Sequence, residues 1–164
     1  MAIKHGLIPE FEQEMAITRK VIERLSEDKY DWAPHEKSMR GSRLASHIVE
    51  LVGWGTGTIN QDSINLAGHQ PFNAASESEL LSAFDKNVEE CRKALENASD
   101  ATFMESWSLR RGRSVLLIMP KIAVFRTLIL NHIIHHRGQM SVYLRLTDTP
   151  VPSIYGSSAD EGPA

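Results

Sequence analysis

The sequence predicts an all-α protein, a four-helix bundle with a short β-hairpin between its third and fourth helices. Two observations lead to this prediction. Four long segments of the 164 residues repeat apolar side chains at steps of three and four, which is the spacing of an amphipathic helix. No repeat, low-complexity tract or long linker divides the chain, so we expect one domain over residues 1–164, with an irregular tail from about residue 147.

The first helix shows its apolar stripe from Leu7 to Leu25. We expect Pro9 to lie in the first turn, where its missing N–H is tolerated, and we expect the helix to end near Ser26. The chain then runs to Pro34, which disfavours helical conformation at the residue before it.

The second helix is expected to begin within residues 39–42. Five residues at helical spacing form its inward face: Leu44, His47, Leu51, Trp54 and Thr58. Its later part contains Gly53, Gly55 and Gly57, and each glycine costs about 1 kcal/mol relative to alanine inside a helix. Either the helix frays at these glycines or another backbone packs closely against them.

A capping box marks the start of the third helix, with Ser76 as the cap and Glu79 reaching back to it. The apolar stripe that follows contains Leu81, Phe84, Val88, Cys91 and Leu95. Cys91 therefore faces the core, and we interpret it as a small hydrophobic side chain rather than as a nucleophile.

Residues 107–118 break the helical pattern and predict a hairpin with its turn at Arg111-Gly112. Pro120 then opens the longest helix, which is expected to run to about Leu146. The prolines and glycines that follow predict irregular structure.

Composition argues against several classes of function. The net charge is −3, which argues against a nucleic-acid-binding protein that relies on a basic face. No apolar run approaches the roughly 18 residues that a membrane span requires, so we expect no membrane partner. The single cysteine cannot form an internal disulfide, and the first residues contain no apolar signal segment. We therefore expect a reducing, cytoplasmic location.

Histidines carry the strongest functional signal. His132 and His136 are four residues apart on the fourth helix, so both imidazoles project to one side, close enough to bind one divalent cation. A third ligand must face the same interior, and His47 does so on the second helix. Three neutral imidazoles would leave a coordination position open for water or substrate. Imidazole suits Zn²⁺, Ni²⁺ and Fe²⁺ without deciding among them. The alternative is that these histidines are hydrogen-bonded residues of the core.

Five further residues are candidates for the pocket or for contacts that orient the ligands: Glu50, Trp54, His135, Gln139 and Tyr143. Glu50 follows His47 by three residues and could orient its imidazole or act as a general base, with a solvated carboxylate as the alternative. A helical wheel centres the stripe of the fourth helix on His132 and turns Arg137 away from it. We therefore expect Arg137 at the surface or in a dimer contact.

Three features of the chain match a known pattern: a histidine within an apolar second helix, the motif Asn-His-x-x-His-His-Arg-Gly-Gln over residues 131–139, and a tail from Pro150 to Glu161. Together they resemble the DinB/YfiT-like metalloprotein family over essentially the whole chain. The resemblance implies a four-helix bundle, commonly a homodimer, with a divalent cation held by three histidines. Those ligands fall on His47, His132 and His136.

The resemblance also implies chemistry. Some members of the family are metal-dependent S-transferases that use low-molecular-weight thiols, and others resemble hydrolases or isomerases. We hypothesise a metal-dependent S-transferase or hydrolase acting on a small molecule, with a low-molecular-weight thiol as a candidate substrate and with no catalytic residue named. A non-catalytic metal-binding or small-ligand-binding module of a stress response is the alternative. A purely structural bundle is the third hypothesis.

Overall fold

A computed structural model describes residues 2–162 and confirms the bundle of four long helical segments. Three segments are single α-helices: α1 Lys4–Ile22, α2 Gly41–Asn60 and α3 Glu77–Asn97. Two short elements lie outside them: a 3-10 turn Glu27–Lys29 and the helix α4 Asp100–Met104. The fourth segment is continuous and consists of α5 Lys121–Val124, a π-helical turn Phe125–Leu130 and α6 Asn131–Leu146.

The four segments pack in a ring. Helix α2 contacts α3 and α6, and α1 contacts the same two helices, so α1 and α2 lie diagonally across the bundle. The core is formed by fully buried apolar side chains, among them Phe11, Ile22, Leu44, Ile48, Leu51, Phe84, Phe125, Ile133 and Met140. Within residues 2–162, no helix is both long and apolar enough to span a membrane.

A three-stranded sheet accompanies the bundle: β1 Ser63–Asn65, β2 Ser106–Arg111 and β3 Ser114–Pro120, in the order β1-β2-β3. Strands β2 and β3 form the predicted antiparallel hairpin, and Gly112 takes a φ of +60° in its turn. Strand β1 pairs in parallel with β2. The sequence did not predict β1, because three residues are too few to show a period.

The first helix begins earlier than predicted. Pro9 lies inside α1 rather than in its first turn, because the helix starts at Lys4. Two contacts with distant residues hold this early turn. The Ile3 N–H donates to the Asp100 carboxylate at 2.8 Å. The Lys4 ammonium donates to the Glu96 carbonyl at 2.7 Å. The spacing of residues within the helix cannot predict contacts with residues so distant in the sequence.

Helix α2 continues through its three glycines to Asn60, so it does not fray there, and side chains rather than another backbone lie against these glycines. A Cβ at Gly55 would lie 2.7 Å from the Cys91 Sγ on α3 and 3.3 Å from the Phe125 ring. A Cβ at Gly53 would also be tight against α3, at 3.1 Å from a side-chain amide. The absence of side chains at these positions lets α3 approach α2 closely.

The capping box of α3 forms with one difference. The Glu79 N–H donates to the Ser76 hydroxyl at 3.2 Å, and the Glu79 carboxylate accepts from the N–H of Ala75 at 2.7 Å, one residue before the cap. Cys91 is fully buried, and burial raises the pKa of its thiol to about 12. The thiol is therefore protonated at neutral pH, in agreement with its interpretation as a hydrophobic side chain.

The tail after α6 is irregular, as predicted, and it is anchored to the bundle. Asp160 pairs with Arg145 at 2.5 Å, and Glu161 pairs with Arg24 at 2.6 Å. The Val151 N–H also donates to Asp160, at 2.9 Å. These contacts hold the tail against the ends of α1 and α6.

Replacing Gly55 with alanine should destabilise the bundle. The added methyl group meets the Cys91 sulfur at 2.7 Å, and overpacking of this kind costs about 1–3 kcal/mol. Gly138→Ala is the matched control, because nothing lies within 4 Å of the added Cβ. Helix propensity alone should then raise the free energy of unfolding by up to about 1 kcal/mol. Urea denaturation of the metal-free protein measures the free energy of unfolding of the wild type and of both variants. Changes of the same sign in the two variants would contradict the close packing at Gly55.

Candidate metal centre

Three imidazoles meet between α2 and α6. His47 comes from α2, and His132 and His136 come from α6. One ring nitrogen of each residue lies within 4.8 Å of the others, and the Nε2 atoms of His132 and His136 are 2.8 Å apart. The structure therefore brings together the three histidines that sequence spacing singled out. We call them the histidine cluster.

The predicted centre of the apolar stripe on the fourth segment was wrong. Four fully buried residues of this segment recur at steps of four, Phe125, Ile129, Ile133 and Arg137, and Val124, Leu130, Met140 and Leu144 are fully buried beside them. The error lies within α6 itself, since His132 and Arg137 both follow the π-helical turn and the fully buried side chains there are Ile133, Arg137, Met140 and Leu144. His132 therefore lies beside the buried stripe and half-buried, where its imidazole meets α2.

Two imidazoles of the cluster, those of His47 and His136, have an acceptor at Nδ1. The His136 Nδ1–H donates to the Gln139 amide oxygen at 2.6 Å. The His47 Nδ1 faces a carboxylate oxygen of Glu50 at 3.4 Å. A proton held on Nδ1 in this way leaves the Nε2 lone pair free for a metal ion.

Burial keeps two imidazoles of the cluster neutral, those of His132 and His136. It lowers the pKa of His136 to about 4, and it is also the main cause of the lowered pKa of His132. The neighbouring imidazoles act in the same direction, because like charges disfavour protonation. At neutral pH both side chains are therefore in the form that binds a metal.

Glu50 is buried and held by several donors. Arg43 donates to its carboxylate at 2.6 Å, and the Phe72 N–H donates at 2.7 Å. Burial alone would raise its pKa, but hydrogen bonds from His47, Arg43 and the Phe72 N–H outweigh burial and lower the pKa of this carboxylate to about 2. The alternative of a solvated carboxylate is therefore wrong, and Glu50 is a buried carboxylate that faces the ring of His47.

A model of the DinB family matches residues 3–162. The chain belongs to the DinB family. Two solved structures share its fold. A DinB-like protein from Bacillus subtilis is 23% identical, with a TM-score of 0.71 over 91% of this chain and 97% of that one. A DinB-like protein from Bacillus cereus ATCC 10987 is also 23% identical, with a TM-score of 0.72 over 94% and 98%. No curated protein matches the chain significantly.

Two more predicted pocket residues of this DinB-family protein lie next to the cluster. The ring centroid of His135 is 5.0 Å from that of His136, although His135 is exposed. Tyr143 is buried and lines a cleft beside His136. Its hydroxyl donates to the Met39 carbonyl at 2.9 Å, so the ring ties the loop before α2 to α6.

Trp54 lines a cleft together with Glu50 and His69, and its ring lies edge-on to that of His69 at 5.7 Å. Sequence reasoning missed two partners of Glu50. His69 places its Nε2 3.4 Å from Glu50, and it comes from a loop that no spacing rule connects to α2. Arg43 precedes Glu50 by seven residues, two helical turns, and that spacing could have identified it.

Arg137 is buried, contrary to the prediction of a surface or dimer contact. Its guanidinium pairs with Glu14 on α1 at 2.7 Å and donates to the Tyr155 hydroxyl at 2.5 Å. The tyrosine in turn donates to Glu14 at 2.8 Å. The prediction failed because it centred the stripe on His132, whereas Arg137 belongs to the buried steps of four.

Removing one partner of this buried ion pair should destabilise the bundle. Arg137→Met leaves the Glu14 carboxylate buried without its cation, which costs about 3–5 kcal/mol. The double variant Arg137→Met/Glu14→Leu removes both charges and should recover most of the loss, because apolar side chains often replace a buried ion pair without penalty. Urea denaturation measures the free energy of unfolding of the wild type, the single variant and the double variant. A loss below about 1 kcal/mol in the single variant, typical of an exposed pair, would contradict this account.

Proposed function

We propose that His47, His132 and His136 bind one divalent metal ion. The observation that supports this best is the 2.8 Å separation of two Nε2 atoms, with a nitrogen of the third imidazole within 4.8 Å. When Nδ1 carries the proton on each ring, the lone pairs on Nε2 face one another and repel. A cation among them attracts all three, so the arrangement suits a metal ion better than a packed core.

The donor set favours metals of intermediate softness. Neutral imidazole suits Zn²⁺, Ni²⁺ or Fe²⁺ better than a hard cation such as Mg²⁺. A cation bound by three neutral ligands keeps its full charge and an open position, and it lowers the pKa of a water or thiol bound there. Glu50 and Gln139 would hold two of the rings in place through their Nδ1 atoms.

We further propose that the protein catalyses a metal-dependent transfer or hydrolysis on a small molecule, with a low-molecular-weight thiol or water as the nucleophile. Two features support this. The cluster is partly accessible, since His47 and His132 are only half-buried. A cleft of about 270 Å³ also reaches His136, which gives a small substrate a route to the site.

One observation favours a second candidate, a non-catalytic metal-binding or small-ligand-binding module. Glu50 is the carboxylate nearest His47, and its pKa of about 2 makes it a poor general base at neutral pH. If the protein is an enzyme, Glu50 is therefore not the group that takes the proton from the nucleophile.

A homodimer is also part of the proposal. Leu116 and Ile118 on β3 are 50% and 61% exposed, and exposed apolar side chains on an edge strand fit a face that a second copy covers. The homodimer and the cytoplasmic location stay predictions.

Protein purified without an affinity tag should contain about one divalent metal ion per chain. His132→Ala/His136→Ala should lose it, because two of three donors are gone. His135→Ala is the matched control, since it removes an exposed imidazole one residue from His136 and should keep the metal. Elemental analysis measures the metal content per chain of the wild type, the double variant and the control. The metal site is disproved if the wild type stays empty after incubation with Zn²⁺ and Ni²⁺, or if the control loses as much metal as the double variant.

Glu50→Gln should weaken metal binding about 10- to 100-fold, the usual effect of removing a group that orients a ligand. Glu90→Gln on the exposed side of α3 is the control and should leave the affinity unchanged. Competition with a chromogenic chelator measures the affinity, and circular dichroism checks that both variants fold. Equal affinities for the two variants would show that Glu50 does not position His47.

A further inference from the structure

The cleft beside the histidine cluster has its own chemistry. It has a volume of about 270 Å³, and its lining includes Lys37, Ser38, Leu44, His136, Gln139 and Tyr143. Pockets for drug-sized ligands usually measure about 300–1,000 Å³, so this cleft suits a smaller molecule. Because His136 is both a wall of the cleft and a proposed metal ligand, a molecule in the cleft lies next to the proposed metal position.

Lys37, an exposed lysine, is the basic residue among those that line the cleft. No acidic side chain lines it, and no carboxylate within residues 2–162 comes within 4.0 Å of the Lys37 ammonium. The acidic residues close to Lys37 in the sequence, Asp31 and Glu36, do not line this cleft. Asp31 is paired with Arg40 at 2.5 Å, and Glu36 lines the adjoining cleft instead.

Among the other polar groups of the cleft, the side-chain amide of Gln139 offers a hydrogen-bond donor. The amide oxygen of Gln139 already accepts from His136 at 2.6 Å, so its NH₂ group is left to donate to a ligand. The Tyr143 hydroxyl gives its hydrogen to the Met39 carbonyl. An ammonium and an amide NH₂ in one small cleft favour an anionic group with two acceptor oxygens.

We propose that this cleft binds the carboxylate of a small ligand, with Lys37 as its ion-pair partner, while the other end of that ligand coordinates the metal at the histidine cluster. The inference rests on the proposed metal site and adds the class of ligand to it. Lys37 is then a specificity residue, because it selects acidic ligands over neutral ligands with the same metal-binding group.

The test compares two thiols that differ in the carboxylate. Protein loaded with Co²⁺ is titrated with 3-mercaptopropionate and with 2-mercaptoethanol, and the thiolate-to-cobalt absorption band reports coordination. Each thiol coordinates as the thiolate and releases its proton to the buffer. We expect 3-mercaptopropionate to bind at least about tenfold more tightly, because its carboxylate pairs with Lys37.

Lys37→Gln should remove that preference and leave the affinity for 2-mercaptoethanol and the metal content unchanged. Lys86→Gln, an exposed lysine on α3 outside this cleft, should leave the preference intact. Equal affinities of the wild type for the two thiols, or a preference that survives Lys37→Gln, would overturn the inference while the metal site stands. A wild type that takes up no Co²⁺ overturns the proposed metal site, and the inference falls with it.

Discussion

Two adjacent residues of α6 point to different neighbours in the bundle and together set how that helix is rotated about its axis. Arg137 reaches α1, where it pairs with Glu14 at 2.7 Å in a buried environment. His136 turns toward α2, and its ring centroid lies 4.8 Å from that of His47. A rotation of α6 would break the ion pair and leave a buried charge without a partner, which is strongly unfavourable. The meeting of the three histidines therefore depends on a contact on another side of the same helix.

A second constraint is the hydrogen bonding of the imidazole rings at Nδ1, which fixes how the rings are oriented. The acceptors of His47 and His136 are the side chains of Glu50 and Gln139. Glu50 also accepts from the Phe72 N–H, so one carboxylate ties α2, a long loop and the site together. Its low pKa keeps it ionised, which makes it a stable acceptor and a weak base.

Membership in the DinB family accounts for the bundle, while the chemistry has to be argued from the site, since one fold supports many functions. His132 and His136 supply neutral donors to the cluster, and Lys37 lines the adjoining cleft. Placed together, these groups suit a ligand that coordinates with one end and carries a negative charge at the other. The proposed metal site and the proposed ligand class thus come from two groups of residues that overlap at His136 and Gln139.

The sequence by itself determined the four helical segments, the hairpin and the pairing of His132 with His136, because each depends on spacing over a few residues. It also indicated His47, through its place on an apolar face. Only the tertiary structure decided that His47 meets the other two, since that requires α2 to pack on α6. The π-helical turn and the buried Arg137 were likewise decided there. Their positions depend on contacts with residues far away in the sequence, and the periodicity of the local sequence does not reveal such contacts.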